Sequence, residues 1–236
     1  MIRRVFVVIP AADEERRIGD CLMSVLSAAN AVPALLGRTV RVDVVTVLDG
    51  CRDGTTGVVA GFPQVVVSAV DARSVGAARA SGTDVAMQRV DGSEDPAAIL
   101  FANTDADSSV PRDWLAHLIS RADDGADLVL GTVRPGAGLT PAVRLRWRNL
   151  HRLHDGHPHV HGANLAVRAS TLAAAGGWAA MRSGEDVDLV SRVDRLGAVI
   201  CRTGGAVVHT SARASGRAPQ GFSSYLRALG ADRSSW

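Results

Sequence analysis

The sequence contains no lysine and few cysteines, and each shortage excludes a class of chemistry. All 26 basic residues of the 236-residue chain are arginine. A chain without lysine forms no Schiff base and has neither a lysine nucleophile nor the lysine of a P-loop. Cys21, Cys51 and Cys201 are odd in number and widely spaced, with no Cys-x-x-Cys pair. We therefore expect no disulfide framework and no cysteine-rich metal site, and a reducing, cytoplasmic location fits.

Long hydrophobic runs and an excess of charge are also absent. The apolar start is followed too soon by Asp13-Glu14-Glu15 to be a signal peptide. No uninterrupted apolar run approaches the ~18 residues of a membrane span, so we expect no transmembrane segment. The net charge of +2 is too small to indicate a nucleic-acid partner. With 47% hydrophobic residues the chain is typical of one globular α/β domain.

Apolar runs and helical periodicities alternate along the chain. Strands are predicted at residues 5–9 (stopped by Pro10), 42–48, 65–68, 99–103, 128–133, 165–167, 199–201 and 207–210. Helices are predicted at 14–30, 55–60, 74–87, from Pro111 onward, and at 140–153, 170–174 and 185–196. A polar, basic segment at 211–220 precedes a last amphipathic turn at Phe222, Tyr225 and Leu226. This alternation predicts a mostly parallel sheet flanked by helices, without an internal repeat or a linker.

Asp105-Ala106-Asp107 directly follows the apolar run 99–103. Two carboxylates one residue apart at a strand exit can hold a hard divalent cation through oxygen. If the strand is parallel to its neighbours, they lie at the carboxyl edge of the sheet, where such folds bind ligands. A cation there would neutralise a diphosphate, although the same short motif also occurs in solvated loops.

Three further polar loops follow predicted strands, at residues 10–15, 49–55 and 71–76. Each alone is consistent with a surface turn. Together with residues 104–107 they predict a ligand-binding crevice at one edge of the sheet.

The loops carry motifs that resemble those of family-2 glycosyltransferases. In chain order these are Val7-Val8-Ile9-Pro10-Ala11-Ala12-Asp13-Glu14-Glu15, Val47-Leu48-Asp49-Gly50-Cys51-Arg52-Asp53-Gly54-Thr55, Gly76-Ala77-Ala78-Arg79-Ala80-Ser81-Gly82, Thr104-Asp105-Ala106-Asp107, Gly162-Ala163-Asn164-Leu165-Ala166-Val167-Arg168 with Gly176-Gly177-Trp178, and Gly184-Glu185-Asp186-Val187-Asp188-Leu189. Each motif is unspecific, but six in this order indicate the family.

The resemblance implies an α/β fold of the GT-A type, the nucleotide-diphospho-sugar transferase fold, with a mostly parallel central sheet. Residues 1–110 would be the nucleotide-sugar-binding half, 111–210 the acceptor and catalytic half, and 211–236 a basic tail of one domain. The implied activity is metal-dependent transfer of a sugar from a nucleoside-diphosphate donor, of the UDP type, to a hydroxyl group. Inversion of the anomeric centre is implied as well.

The resemblance also assigns roles on the donor side. Asp49 would accept a hydrogen bond from a uracil-like base, and Pro10, Ala11 and Glu14 would surround the base and ribose. Arg79 would support the nucleotide or its diphosphate. From the residues alone, Asp49 is equally consistent with a turn residue and Arg79 with a solvated helix residue.

On the metal and acceptor side, the resemblance implies that Asp105 faces the ribose or the metal and that Asp107 ligates Mg²⁺ or Mn²⁺, a Lewis acid. His209 would complete the metal site, or is a structural histidine. Asp186 would be the general base and Glu185 would shape the acceptor pocket. The alternative for both acids is a favourable interaction with a helix N-terminus.

Two departures from the family pattern affect the expected substrates. Gly50 stands where many relatives have a second acidic residue, which affects recognition of the donor base. Relatives often continue into membrane helices, and this chain does not, so a small, soluble or peripherally presented acceptor is expected.

Five histidines lie between residues 151 and 161, namely His151, His154, His157, His159 and His161. Such a tract can bind zinc, but it lacks cysteines and regular zinc-finger spacing. An acceptor-side loop adjoining Gly162 is the favoured interpretation.

Two other functions remain open from the sequence. A sugar-1-phosphate nucleotidyltransferase has a similar fold, but its Gly-rich, Arg- and Lys-bearing N-terminal loop has no counterpart at residues 10–17. A non-catalytic nucleotide-sugar-binding subunit is the other, and the presence of Asp105, Asp107 and Asp186 argues against it.

Overall fold

The structure is a computed structural model that describes residues 1–151, 153–213 and 222–231. Its strands are β1 (Arg4–Ala11), β2 (Arg41–Asp49), β3 (Val65–Val70), β4 (Ile99–Asn103), β5 (Ser108–Ser109), β6 (Leu128–Leu130), β7 (Val133–Pro135), β8 (Leu165–Arg168), β9 (Ile200–Arg202) and β10 (Val208–Thr210). Its helices are α1 (Ile18–Leu36), α2 (Thr55–Ala60), α3 (Val75–Met87), α4 (Trp114–Asp123), α5 (Pro141–Leu150), α6 (Ala169–Ala174), α7 (Glu185–Arg195) and α8 (Phe222–Ala231). Short 3₁₀ turns precede β4 and β8.

Seven strands form the central sheet in the order β3-β2-β1-β4-β8-β6-β9. Strand β8 runs antiparallel to both its neighbours, and the remaining pairs are parallel. Helices α1 and α4 cover one face of the sheet, and α3 and α7 pack on the other. The predicted mostly parallel sheet flanked by helices is confirmed. Because β1, β2, β3 and β4 are parallel, their carboxyl ends lie at one edge.

Strand β1 continues through Pro10, although the sequence predicts that this proline stops the strand. The pairing of β1 with β4 ends at Val8 and Asn103. Beyond that point β1 pairs only with β2, where Pro10 lies opposite Val47. No strand on the β4 side requires a hydrogen bond from the N–H that Pro10 lacks, so the strand tolerates the proline. Pro10 therefore lies at the carboxyl edge of the sheet.

Helix α1 is the one described helix long and apolar enough to cross a membrane by length and composition, with a mean hydropathy of 1.4. The sequence prediction considered only uninterrupted apolar runs and missed this, because Ser24, Ser27 and Asn30 interrupt the pattern. Core helices pass the same test. Cys21, Leu22 and other buried residues of α1 belong to the core between the helix and the sheet.

Two glycines allow α3 to lie close to its neighbours. A Cβ atom on Gly82 would lie 2.6 Å from Cγ1 of Val8 and 2.9 Å from Cγ2 of Val47. A Cβ atom on Gly76 would lie only 2.0 Å from the carbonyl oxygen of Ala179. A larger residue at position 82 would push the helix off the sheet, and one at position 76 would push it away from the main chain of residues 179–181. These glycines of the third motif therefore fix the position of Arg79 between them.

The strand predicted at residues 128–133 is in fact two strands in two sheets. β6 belongs to the central sheet, whereas β7 joins β10 and β5 in a three-stranded sheet. At the break, a Cβ atom on Gly131 would lie 2.3 Å from Nδ2 of Asn164, whose amide donates to the Thr132 carbonyl oxygen at 2.8 Å. The side chain of Asn164 therefore occupies the space at the break, which no local pattern reveals.

The other predicted elements are present; β4 and α2 have the predicted bounds, and the rest have shifted ends. The first helix begins at Ile18 rather than at 14, because residues 12–17 form a turn, and it continues past Pro33. Strand β5 was not predicted, since two residues carry no periodicity. Arg152 of the predicted fifth helix, and residues 214–221 and 232–236 of the predicted tail, lie outside the described residues.

Candidate functional site

A cavity of about 990 Å³ opens at the carboxyl edge of the parallel strands. Residues from all four predicted loops line it, including Asp13, Asp49, Ser74 and Asp105. The sheet thus brings together loops that are separated by up to 90 residues in the chain, as the sequence predicts.

Asp49, at the end of β2, organises the loop between β3 and α3. Its side chain is buried, and Oδ1 accepts hydrogen bonds from the main-chain N–H groups of Ala72 and Arg73, each at 2.8 Å. Oδ2 accepts a third from Ser74 N at 2.9 Å. Asp49 therefore positions the loop on which α3 begins, and its contact with a nucleotide base stays a prediction.

The first loop places Pro10, Ala11 and Glu14 on the cavity wall. Glu14 is buried, and its main-chain N–H donates to Oγ1 of Thr55 at 2.7 Å. Its Oε1 pairs with Nη2 of Arg213 at 2.6 Å. Glu14 is thus directed toward the acidic end of the cavity, where Asp107 lies, and the predicted proximity of Pro10 and Ala11 to a base stays a prediction.

Arg79 is not a solvated helix residue, because only 1% of its side chain is exposed. Nη2 donates to Oδ1 of Asp105 at 2.8 Å, and Nη1 pairs with Oε1 of Glu185. The guanidinium carbon lies 5.2 Å from the ring centroid of Trp178. Gly162 leaves room for it, since a Cβ atom there would lie 2.3 Å from Nη1. One buried arginine therefore joins the exit of β4 to the start of α7.

Burial controls the charge of the carboxylates around this arginine. It raises the pKa of Glu185, and the positive charge of Arg79 opposes that rise. Burial also raises the pKa of Asp105, and the positive charge of Arg79 again opposes the rise. The side chain of Asp105 is nevertheless 39% exposed. Glu185 is therefore a positioning group for Arg79 rather than an exposed acid.

Asp107 lies at the acidic end of the cavity. Burial, followed by the negative charge of Asp105, raises the pKa of Asp107 to about 6. Oδ1 accepts a hydrogen bond from Oγ1 of Thr210 at 3.3 Å, and Oδ2 lies 3.3 Å from Nη2 of Arg213. The contacts from Thr210 and Arg213 were not predicted, because they come from more than 100 residues further along the chain and follow no motif.

The structure does not support His209 as a metal ligand. His209 is exposed and does not line the cavity. It is adjacent on β10 to Thr210, and successive side chains of a strand point to opposite faces. Because Thr210 faces Asp107, His209 points away, and the prediction is wrong for this reason.

The fit of the acidic end to a divalent cation depends on which side chains meet there. Among the described residues, no group of three or more His, Cys, Asp or Glu side chains is arranged to hold a metal ion. The oxygens of Asp105, Asp107, Glu14 and Thr210 are nevertheless the hard ligands that Mg²⁺ and Mn²⁺ prefer. Burial and then the negative charge of Asp105 raise the pKa of Asp107, and Arg213 offsets only part of this effect. The chemistry of these residues therefore fits a hard cation, and the role of Asp107 as its ligand stays a prediction.

Asp186, at the start of α7, lines the cavity. Its Oδ2 accepts from the main-chain N–H of Gly162 at 2.7 Å, and Oδ1 accepts from Val187 N at 2.8 Å. Asp188 does not line the cavity and instead pairs with Arg192, with Oδ2 2.7 Å from Nη2. Asp186 therefore faces the cavity, and Asp188 points away from it.

The histidine tract forms a wall of the cavity near Asp186. His151 and His161 line the cavity, whereas His154 is exposed outside it. The rings stack on one another rather than converging on a point, and the described residues include no metal-binding group. Zinc binding is therefore not favoured by this geometry.

A mostly parallel sheet with a cleft at its carboxyl edge is typical of ligand-binding α/β proteins. The model of glycosyl transferase family 2 matches residues 6–179. The chain belongs to this family. A sequence comparison with curated proteins gives no significant match.

Solved structures with similar folds are glycosyltransferases of the GT-A type. The mannosyltransferase of Pyrobaculum calidifontis, in complex with GDP-mannose and Mn²⁺, is 21% identical with a TM-score of 0.64, over 92% of this chain and 59% of that one. S. aureus TarS 1–349 in complex with UDP is 16% identical with a TM-score of 0.60, over 89% and 61% of the two chains. The glucosyl-3-phosphoglycerate synthase of Mycobacterium tuberculosis, with Mg²⁺ and UDP, is 18% identical with a TM-score of 0.55, over 89% and 70%.

These similarities confirm the GT-A fold predicted from the sequence. The chain spans about 60% of the length of the TarS structure. The compared proteins therefore include segments that have no counterpart in this chain.

Proposed function

We propose that the protein is a metal-dependent glycosyltransferase that moves a sugar from a nucleoside-diphosphate donor to a hydroxyl group of a small or soluble acceptor. The observation that carries the proposal is the position of buried Arg79, which bonds Asp105 at the exit of β4 and Glu185 at the start of α7. This arrangement fixes the position of Asp186, the residue after Glu185, relative to Asp105 at the acidic end of the cavity. A donor diphosphate and an acceptor hydroxyl group can thus meet in one cavity of about 990 Å³.

The donor half supplies positive charge and shape for a nucleoside diphosphate. Arg52, Arg73 and Arg182 line the cavity in the part formed by the second and third loops and the segment before α7. That segment is held to α3 by Ser74, whose hydroxyl donates to the Met181 carbonyl oxygen at 2.8 Å. We assign the nucleotide to this side, with a UDP donor favoured by the family motifs. The structures of relatives contain UDP or GDP-mannose, so both nucleotides belong in the test.

Asp107, with Asp105 and Glu14 nearby, would hold Mg²⁺ or Mn²⁺. When bound, such a cation stabilises the negative charge that develops on the departing diphosphate. Arg213 approaches the same carboxylates, and its guanidinium can remain beside Glu14 or contribute a donor to the diphosphate.

Asp186 is the group placed to take a proton from the acceptor. Its two oxygens are held by the N–H groups of Gly162 and Val187, which fix the carboxylate plane and leave further lone pairs toward the cavity. As the acceptor oxygen forms a bond with the anomeric carbon, the hydroxyl proton passes to Asp186 and the bond to the β-phosphate oxygen breaks. Direct displacement of this kind inverts the anomeric centre.

The test is release of the nucleotide from purified protein given UDP-hexoses or GDP-mannose with Mn²⁺. We expect UDP or GDP to be released, whereas a nucleotidyltransferase would release no nucleoside diphosphate from these donors and would form pyrophosphate only from a nucleoside triphosphate and a sugar 1-phosphate. Turnover by the purified chain alone would exclude a non-catalytic subunit. Binding of neither nucleotide with Mn²⁺, in a thermal-shift measurement, would contradict the proposal.

A cytoplasmic location is part of the proposal. It is supported by the three cysteines, which are all free in the structure.

A further inference from the structure

Histidine side chains and one tyrosine form a continuous aromatic wall on the acceptor side of the cavity. His159 is at its centre, with ring centroids 4.8 Å from His151, 5.8 Å from His157 and 5.9 Å from His161. The other side of His151 is covered by Trp147 at 4.6 Å, with planes only 2° apart. Because the faces are used for stacking, the cavity meets mainly ring edges.

The wall is attached to the candidate base. His161 precedes Gly162, whose N–H donates to Oδ2 of Asp186 at 2.7 Å. At the other end, Tyr225 of α8 contacts His151 edge-on, with centroids 5.4 Å apart. His151, His161 and Tyr225 all line the cavity. The wall therefore extends from Asp186 to α8.

The hydrogen-bonding state of His151 follows from its neighbours. Nδ1 lies 2.9 Å from the carbonyl oxygen of Trp147, which can only accept, so Nδ1 carries the proton. Nε2 is then the ring nitrogen left for a ligand, and a hydroxyl group, which can both donate and accept, suits it.

The rest of the wall is also better suited to a neutral partner than to an anion. Burial and the neighbouring imidazoles lower the pKa of His161 to about 3 and also lower the pKa of His159. Burial is the main cause of the lowered pKa of His157, whose Nε2 contacts the carbonyl oxygen of Leu130 at 3.1 Å. Arg202 lies behind the wall, where its Nη1 donates to the carbonyl oxygens of His157 and His159. Its positive charge lowers the pKa of both imidazoles further. Near neutral pH these rings are uncharged and offer N–H donors, ring acceptors and apolar edges.

We propose that His151, His161 and Tyr225 form an acceptor subsite for a neutral carbohydrate, a pyranoside whose attacking hydroxyl group reaches Asp186. This inference rests on the proposed glycosyltransferase function and names its acceptor class. A pyranoside has both hydroxyl groups and apolar C–H surfaces, and these match the mixed edges of the wall. His159 is a positioning residue that holds the two cavity-lining imidazoles in place.

The experiment compares acceptors and variants. The methyl pyranosides of glucose, galactose and mannose are offered with a UDP-hexose and Mn²⁺, beside 3-phosphoglycerate as the anionic alternative. His151→Phe keeps a stacking ring but removes Nε2. We expect the KM for the preferred pyranoside to rise roughly 2- to 12-fold, the loss of one hydrogen bond, with kcat and the donor KM unchanged.

Two further variants separate the subsite from a structural role. His154→Ala removes an exposed histidine outside the cavity and should match the wild type. His151→Gln restores a hydrogen-bonding side chain. Its KM for the pyranoside should therefore lie between those of His151→Phe and the wild type, and this variant can be measured even if the phenylalanine variant folds poorly. Saturation-transfer NMR of the pyranosides on wild type and His151→Phe measures binding without turnover.

Failure of this inference is distinguishable from failure of the proposed function. If UDP-hexose is hydrolysed but only 3-phosphoglycerate accepts sugar, or if the pyranoside KM is the same in His151→Phe, the carbohydrate subsite is wrong and the glycosyltransferase remains. One zinc ion per chain in the purified protein would also overturn it. If neither nucleotide binds with Mn²⁺, the proposed function fails first, and the inference fails with it.

Discussion

Arg79 and Glu185 form a buried ion pair that connects α3 to the first residue of α7 across the cavity. Their side chains are 1% and 5% exposed. Asp105 shares the same guanidinium, so one arginine neutralises acids from two distant segments. The pair therefore decides where Asp186, the next residue, lies relative to the exit of β4.

The first prediction concerns the energy of this pair. Arg79→Met leaves Glu185 buried without its partner, so we expect a loss of about 3–5 kcal/mol in the free energy of unfolding, measured with urea. Arg73→Met is the control, because Arg73 and Asp71 form an exposed pair, and a change of about 0.5 kcal/mol or less is expected. Equal effects of the two substitutions would contradict this account of the site.

The second prediction concerns the close approach of α3. Gly76→Ala places a Cβ atom against the Ala179 carbonyl oxygen, and overpacking of this kind costs about 1–3 kcal/mol. Gly57→Ala lies in α2, where nothing is within 4 Å of the new atom, so a gain of about 0.5–1 kcal/mol is expected. Thermal unfolding of both variants checks the prediction, and a neutral Gly76→Ala would show that the helix can shift freely.

The third prediction concerns the pH dependence of Asp107. Because its pKa in the fold is raised from 3.8 to about 6, ionised Asp107 costs the fold up to about 3 kcal/mol. That cost is present in full above pH 6, shrinks as the pH falls from 6 toward 4, and disappears only below the unfolded-state pKa of 3.8, where the carboxyl group is protonated in both states. Asp107→Asn resembles the protonated form, so it should raise the melting temperature at pH 7.5 and lose this advantage near pH 4. A variant less stable than the wild type at pH 7.5, without added metal, would contradict the electrostatic assignment.

The fourth prediction separates the two aspartates of α7. Asp186→Asn keeps the shape but removes the proton acceptor, and turnover should fall roughly 10²- to 10⁴-fold with donor binding nearly unchanged. Asp188→Asn removes a carboxylate that pairs with Arg192 outside the cavity, and its turnover should stay close to that of the wild type. Release of UDP from a UDP-hexose reports the rate. Full activity in the first variant with loss in the second would reverse the assignment.

Much of the fold follows from local patterns in the sequence. The run from Ile99 to Asn103 is fully buried, and both ends of β4 are as predicted. The four loops at the strand exits also meet as predicted, because parallel strands impose a common edge. The break at Gly131 was not predictable, since it depends on the side chain of Asn164, which comes from another part of the chain.

The candidate site is predictable only where a motif carries it. Asp105, Asp107 and Asp186 all line the cavity, and their roles stay predictions. Arg213 reaches the acidic end from a segment with no motif, and the direction of His209 follows from which face of β10 packs on Asp107. The position of Arg213 and the direction of His209 both depend on long-range packing, which cannot be predicted from the spacing of residues in the sequence.

The most direct test of the central claim is calorimetric titration of UDP into the wild type and Asp107→Ala, with and without Mn²⁺. The account predicts binding that depends on Mn²⁺ in the wild type and is lost in Asp107→Ala, while the variant's fold remains intact by circular dichroism. UDP affinity that is unchanged by the substitution, or by omission of Mn²⁺, would contradict the account.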